Sequence, residues 1–192
     1  VAVGLDALGA ADTAINKVAV GKDALLVNTA DSNVAVGTSA LDANTTGANN
    51  VAVGLDALGG NTTGAANTAV GLSALKANTT GVDNTAVGKD ALLSATTASS
   101  NVAFGAYTAD ALTTGANNTA LGTGSLGAET TGISNTAVGY QALLVQVGAT
   151  GNTAVGKSAA NALTTGSDNT AVGLDSLGAE TTGVNNVAVG KD

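Results

Sequence analysis

Aspartate returns at one fixed place along this chain, and carboxylates at a fixed spacing are the first residues whose chemistry needs an explanation. An aspartate stands two residues after a regularly spaced glycine at Asp6, Asp23, Asp56, Asp90, Asp175 and Asp192. Stacked carboxylates can hold calcium, but the G-G-x-G-x-D nonapeptide of calcium-binding coils is absent. Lysine precedes three of the aspartates. We therefore predict a solvated rim with weak ion pairs and no metal site.

The composition removes the side chains on which most enzymes depend. The chain contains no histidine and no cysteine, so the commonest general base, the best nucleophile and the usual zinc ligands are missing. The glycines form no G-x-x-x-x-G-K-[ST] phosphate loop. The sequence therefore predicts no catalytic residue and no cofactor, and the protein is not expected to be an enzyme.

Three aromatic side chains occur in the chain: Phe104, Tyr107 and Tyr140. Phe104 replaces a valine that we expect in the core, so we predict that it is buried. Tyr107 and Tyr140 fall in a variable turn, where we expect them to face solvent. Exposed tyrosines can stack on sugar rings, so these two are the candidate surface-contact residues.

The charge and hydropathy of the chain exclude two classes of partner. The net charge is −8, and lysine supplies all 6 basic residues. Scattered lysines on an acidic chain argue against a nucleic-acid surface. No apolar stretch approaches the length that crosses a bilayer, so no membrane span is expected. The absence of cysteine is compatible with an extracellular rod.

The elements that position these residues come from a repeat, because one glycine returns every 17 residues with a single interval of 16. The copies are Gly4, Gly21, Gly37, Gly54, Gly71, Gly88, Gly105, Gly122, Gly139, Gly156, Gly173 and Gly190. A short period over a whole chain predicts stacked coils. Residues 1–192 therefore form a single repeat array of about eleven coils, which we expect to be a segment of a longer fibre.

Aligned on this glycine, the repeats show fixed columns. Alanine stands two residues before the glycine in all twelve copies, and valine one before it except at Phe104 and Leu121. Asparagine stands four before it in ten of eleven copies, with Lys17 as the exception. The motif N-[TV]-A-V-G is followed by A-L and then by N-T-T-G or a relative. Each column is named by its commonest residue, so that these are the glycine, alanine, valine and asparagine columns.

These columns predict an all-β fold, a parallel β-solenoid or β-roll with 17-residue coils and two short strands per coil. T-A-V alternates as a strand does, and the two glycines of each repeat mark turns. We expect the valines, such as Val53, Val87 and Val172, to be buried. The asparagines are expected to form a ladder between coils and to adopt left-handed backbone at a turn. A rod of roughly 50–55 Å follows from the strand spacing.

Two further columns bear on packing. The strict alanine column indicates a close contact, made either by the opposite wall of a thin coil or by another subunit. Leu112 and Leu163 stand three residues later than the leucines of other repeats. Both can face inward only if the chain turns a corner between the two positions.

The motif N-[TV]-A-V-G-x-x-A-L resembles the head repeats of trimeric autotransporter adhesins, and the longer string with N-T-T-G is similar to shaft repeats of phage tail fibres. Residues 67–71 and 135–139 are typical copies. The resemblance covers essentially the whole chain. It implies a homotrimer of β-rolls that is exposed on a surface and serves attachment.

Three functions remain open at this point. The first is a structural or adhesive fibre segment, extracellular, on a cell surface or a virion, that binds itself and a host-cell or extracellular ligand. The second is an ice-binding solenoid, because eight threonine pairs from Thr45-Thr46 to Thr181-Thr182 stand in phase. The third is a self-assembling extracellular filament without an adhesive role.

Overall fold

The structure, a computed structural model, describes residues 1–9 and 14–191. These residues form one parallel sheet of twelve strands that follow each other in chain order. The strands are β1 Ala2–Val3, β2 Val18–Val20, β3 Val34–Val36, β4 Val51–Val53, β5 Thr68–Val70, β6 Thr85–Val87, β7 Val102–Phe104, β8 Thr119–Leu121, β9 Thr136–Val138, β10 Thr153–Val155, β11 Thr170–Val172 and β12 Val187–Val189. No helix occurs within these ranges. The fold is a β-solenoid with one coil per repeat, which confirms the predicted architecture.

Each coil contributes one short strand to the sheet, where the sequence had predicted two. The remainder of the coil consists of turns, and outside the sheet the described residues contain one isolated parallel bridge, between Ser99 and Ala116. The second strand was wrongly predicted because three left-handed residues per coil interrupt the extended backbone. They are exemplified by Asp56 (φ 55°), Leu58 (φ 51°) and Ala66 (φ 57°).

The repeated glycine has a conformation that only glycine tolerates at this contact. Its φ lies between 124° and 141° throughout the column. A Cβ added to Gly122 would lie 2.6 Å from the carbonyl oxygen of Gly139 in the next coil. Successive coils therefore touch backbone to backbone at this column, and any side chain there would separate them.

The strand faces are the reverse of those predicted. Ala52 and Ala86 are completely buried, whereas Val53 and Val87 are partly exposed and Val172 is 36% exposed. The alternation of a strand places alanine and valine on opposite sides, and the thin coil admits only a methyl group on the inner side. The alanine column therefore packs against its own coil and faces no other subunit.

Phe104 follows the same rule and is 53% exposed, so the prediction that it is buried is wrong. It occupies the valine column, whose residue is exposed or half-exposed in all twelve strands. A bulky side chain is tolerated there because nothing in the chain packs above it.

Leucines from the turn opposite the strand fill most of the interior. Leu58 and Leu75 are completely buried, and so are the displaced Leu112 and Leu163. In the coil of Leu112 the usual leucine site holds Ala109, a small residue with φ 49°. The expected corner is observed, because the Leu112 N–H donates to the Ala109 carbonyl at 3.2 Å and a turn therefore connects the two leucine positions.

The asparagine column forms the predicted ladder from Asn33 to Asn186. The backbone N–H of Asn67 donates to Oδ1 of Asn50 at 2.9 Å, and its side-chain amide donates to the Gly81 carbonyl at 2.8 Å. The same pair of bonds repeats in every later coil through Asn169, and Asn186 keeps the backbone bond to Asn169. The left-handed backbone, however, belongs to the residue before each asparagine, as at Asp83 (φ 58°), and not to the asparagine itself.

We expect Ala86→Leu to destabilise the solenoid by about 1–3 kcal/mol, because a completely buried methyl site has no room for a larger side chain. Ala179→Leu is the matched control, since Ala179 is exposed in a column where other coils carry Val27 and Val145. Thermal unfolding followed by circular dichroism measures both. Equal losses at the two sites would contradict the close packing of the alanine column.

Candidate functional surface

The outer side of the sheet is an exposed apolar strip along the whole array. We call it the valine face and define it as the residues one and three before the repeated glycine in every coil. Only Val, Thr, Leu and Phe occur there in all twelve repeats. Val70 is 36% and Val155 is 37% exposed. The residue just after the glycine is also exposed but includes Lys22, Lys89 and Lys157, so charged residues are tolerated directly beside this face.

The residues that depart from the repeat on this side of the molecule lie in three consecutive coils. Phe104 and Leu121, which replace valine, are 53% and 44% exposed, and Tyr107 and Tyr140 are 43% and 49% exposed. We call these four residues the aromatic patch. The two tyrosines face solvent as predicted, and they lie two coils apart along the array.

Lys89, from the preceding coil, holds the Tyr107 side chain. Its Nζ donates to the Tyr107 hydroxyl at 2.7 Å and lies 5.0 Å from the centroid of the ring. The hydrogen bond to Tyr107 raises the pKa of Lys89, because it favours the charged ammonium. This contact restricts one tyrosine of the patch to a defined position.

Gly124, in the coil between those of Tyr107 and Tyr140, leaves free space beside Gln141 that the sequence analysis missed. It stands two residues after the repeated glycine, where other coils carry Asp, Ser, Gln or Tyr. A Cβ placed on it would meet only the Cγ of Gln141, at 3.6 Å. Its φ of 65° is close to that of Gln141, 55°. Neither sterics nor backbone conformation therefore requires glycine at this position.

Two of the three neighbouring lysine–aspartate pairs form in the structure, and the third includes Asp192, which lies outside the described residues. Lys22 and Asp23 are 3.3 Å apart, and Lys89 and Asp90 are 3.7 Å apart, with the lysines about half exposed in both pairs. Such pairs contribute little stability in water. In the described part of the chain, no group of three or more acidic residues is arranged to hold a metal ion.

A notch of about 650 Å³ opens where Gly59 and Gly60 remove two neighbouring side chains. Asp42 lies at one side, and burial raises the pKa of its carboxyl. Lys76 crosses the notch and pairs with Asp56 at 2.9 Å. The charges of the notch are thus partly satisfied within the chain.

The two threonines of each pair differ in their surroundings. The first hydroxyl is used between coils, as in the bond from Thr62 to the Thr79 carbonyl at 2.9 Å. The second threonine is exposed in all eight pairs, for example Thr63 and Thr80. A single rank of hydroxyls spaced by the coils runs along this edge.

A buried carboxylate that the sequence analysis overlooked lies in the interior at Glu129. It is completely buried, and its Oε1 accepts the backbone N–H groups of residues 130–132 and of Gly148. Its Oε2 accepts the amide of Gln146 at 2.9 Å. With both oxygens occupied by donors of the chain, this group joins two coils and is closed to substrate. The signal was present in the recurrence of G-A-E-T-T-G at 127–132 and 178–183.

No family model, curated protein or solved structure matches this chain. Within residues 1–9 and 14–191, no helix is long and apolar enough to cross a membrane. The proposed function therefore rests on the exposed faces of the solenoid.

We expect Glu129→Ala to lower the melting temperature far more than Glu180→Ala does. Glu180 sits in the same turn sequence, and backbone N–H donors lower its pKa, but it is partly exposed. Removing Glu129 leaves several buried donors without an acceptor, at about 1–3 kcal/mol for each that water cannot reach. Calorimetry of both variants provides the measurement. Equal shifts would mean that the buried carboxylate does not join the coils.

Proposed function

We propose that this chain is a structural and adhesive fibre segment that assembles with copies of itself, most simply as a parallel homotrimer, on the outside of a cell or a virion. The observation that supports the proposal most directly is the valine face. The exposed column directly after the glycine accepts lysine, whereas the neighbouring valine face contains none. Twelve repeats without one polar substitution other than threonine favour a surface that is covered.

The dimensions of the valine face are compatible with self-association. At the strand spacing the rod is roughly 50–55 Å long. A strip about 10 Å wide along this length offers about 500 Å² per chain, or about 1,000 Å² between two chains, which is the lower limit for a specific interface. Parallel copies would place identical columns side by side, so every coil would repeat the same contact. The resemblance to trimeric adhesin heads supports three copies rather than two.

The rigidity of the array supports a mechanical role. A buried amide ladder and a row of partly exposed hydroxyl bonds connect successive coils, as seen for Asn67 with Asn50 and for Thr62 with Thr79. A stiff rod displays many equal turns, and weak contacts made by several copies add up through multivalency. Attachment by such a rod does not require a deep pocket.

Ice binding is a weaker alternative that the same face supports in part. Threonine and valine stand in two regular ranks over much of the sheet. Phe104 and Leu121 protrude near its middle, however, at 53% and 44% exposure, and interrupt the flat array that an ice surface would need. A thermal-hysteresis assay separates the two functions, since a fibre segment is expected to show none.

Sedimentation equilibrium at micromolar concentration tests the proposed assembly. We expect a particle with three times the single-chain mass of 18.0 kDa. The double variant Val70→Lys, Val87→Lys should be folded by circular dichroism but monomeric, because lysines on the valine face cannot be buried without a partner charge.

Leu72→Lys is the matched control for this experiment, because the same column already contains Lys89 and Lys157. It should assemble as the unmodified chain does. A folded, monomeric unmodified chain would contradict the proposal, and so would a double variant that still assembles.

A further inference from the structure

We propose that the part of the aromatic patch outside the valine face, Tyr107 and Tyr140, is a carbohydrate-binding site, in which one sugar ring sits over Gly124 of the intervening coil. The inference deepens the proposed attachment function and rests on it for its biological role. It names the class of ligand that the patch would bind.

Several residues near Gly124 depart from the repeat. In a regular array the neighbouring coils show what the fold alone requires, and departures from them need another cause. All the aromatic residues of the chain, both replacements of the column valine and the only glycine two residues after the column glycine lie within three consecutive coils. Every one of these aromatic or aliphatic replacements is exposed. The fold therefore does not account for them.

The spacing of the two tyrosines along the array matches the thickness of a sugar ring. Tyr107 and Tyr140 lie two coils apart, which is about 10 Å at the strand spacing. A saturated ring in van der Waals contact with an aromatic ring on each side needs about 7–8 Å. The intervening coil contributes Thr123 and Gly124 at these positions, and the space above Gly124 is open. The spacing thus suits one pyranose ring.

The side chains around the tyrosines have the chemistry that a sugar needs. The C–H groups of a sugar face carry a small positive charge and are attracted to the negative face of an aromatic ring. The sugar hydroxyls need polar partners at the rim, and Lys89, Thr123 and Gln141 provide an ammonium, a hydroxyl and an amide there. Lys89 already holds Tyr107 through a 2.7 Å hydrogen bond, so one ring is partly ordered before any ligand arrives.

The patch is too small to serve a protein partner by itself. Four half-exposed side chains offer a few hundred Å², far less than the ~800 Å² that a stable protein interface buries on each side. A sugar ring covers an area of this size. Binding at one site should be weak, with a dissociation constant in the millimolar range, and would gain strength when several copies are displayed together.

Proton NMR of the aromatic region tests the proposal, because the chain has two tyrosines, one phenylalanine and no tryptophan or histidine. The probes are the methyl glycosides of glucose, galactose, mannose and N-acetylglucosamine, with acyclic mannitol as the polyol control. We expect at least one glycoside to shift the ring protons of both tyrosines saturably, and mannitol to have no effect. Tyr107→Ala and Tyr140→Ala should each weaken binding about two- to tenfold, as expected for the loss of a stacking contact.

Gly124→Gln is the decisive variant. It introduces the side chain that Gln141 carries in the same column, at nearly the same φ, so the protein should fold with an unchanged melting temperature. It should abolish the saturable shifts by filling the opening. Ser73→Gln, in the same column but away from the patch, should bind as the unmodified chain does.

Three results would overturn the site. The first is that no glycoside shifts the tyrosine signals up to its solubility limit, or that mannitol shifts them equally. The second is that Gly124→Gln binds normally. The third is that the ring signals depend only on protein concentration, which would make the patch a contact between copies. The first two results leave the sedimentation outcome unchanged, so failure of the site and failure of the fibre proposal are distinguishable. The third would be accompanied by self-association in sedimentation and would therefore overturn the site while supporting assembly.

Discussion

The backbone contact between successive coils at the glycine column is the constraint on which the rest of the structure depends. Because a Cβ at Gly122 would lie 2.6 Å from the next carbonyl oxygen, every coil must carry glycine at this point and lie directly on its neighbour. Equal residues then fall above one another and make columns. The shortened interval between Gly21 and Gly37 does not disturb this order, since β2 and β3 pair in the same register as the other strands.

Close stacking also determines what stabilises the coil. The interior is thin and holds mainly alanine and leucine, so each coil buries little apolar area against the entropy of ordering it. Buried amides provide the remaining contacts, because asparagine in one coil satisfies backbone groups in the next, as Asn67 does with Asn50 and Gly81. Because the inner side of the strand has room only for alanine, the valines remain outside, and this exposed strip supports a proposal of self-association.

Much of the fold was predictable from the sequence, and the two errors about which side chains are buried have one physical origin. Period and β-branched alternation predicted the solenoid, and the asparagine column predicted the ladder. Alternation separates Ala86 from Val87 but does not say which faces inward; that depends on the volume of the interior, which no single repeat reveals. Phe104 was misplaced for the same reason. The exposure of Tyr107 and Tyr140 was predictable from the variable turn, whereas the opening at Gly124 depends on what neighbouring coils place around it.

Hydrogen exchange of the asparagine backbone amides, followed by NMR, tests the central claim most directly. Each of these amides donates to a buried side-chain oxygen in the preceding coil, from Asn50 bonded to Asn33 through Asn169 bonded to Asn152. If coils are locked in this way, the amides of Asn67 to Asn152 should be protected to a similar, high degree along the array. Exchange at the rate of an unfolded chain for these amides would contradict the stacked ladder and the solenoid built on it.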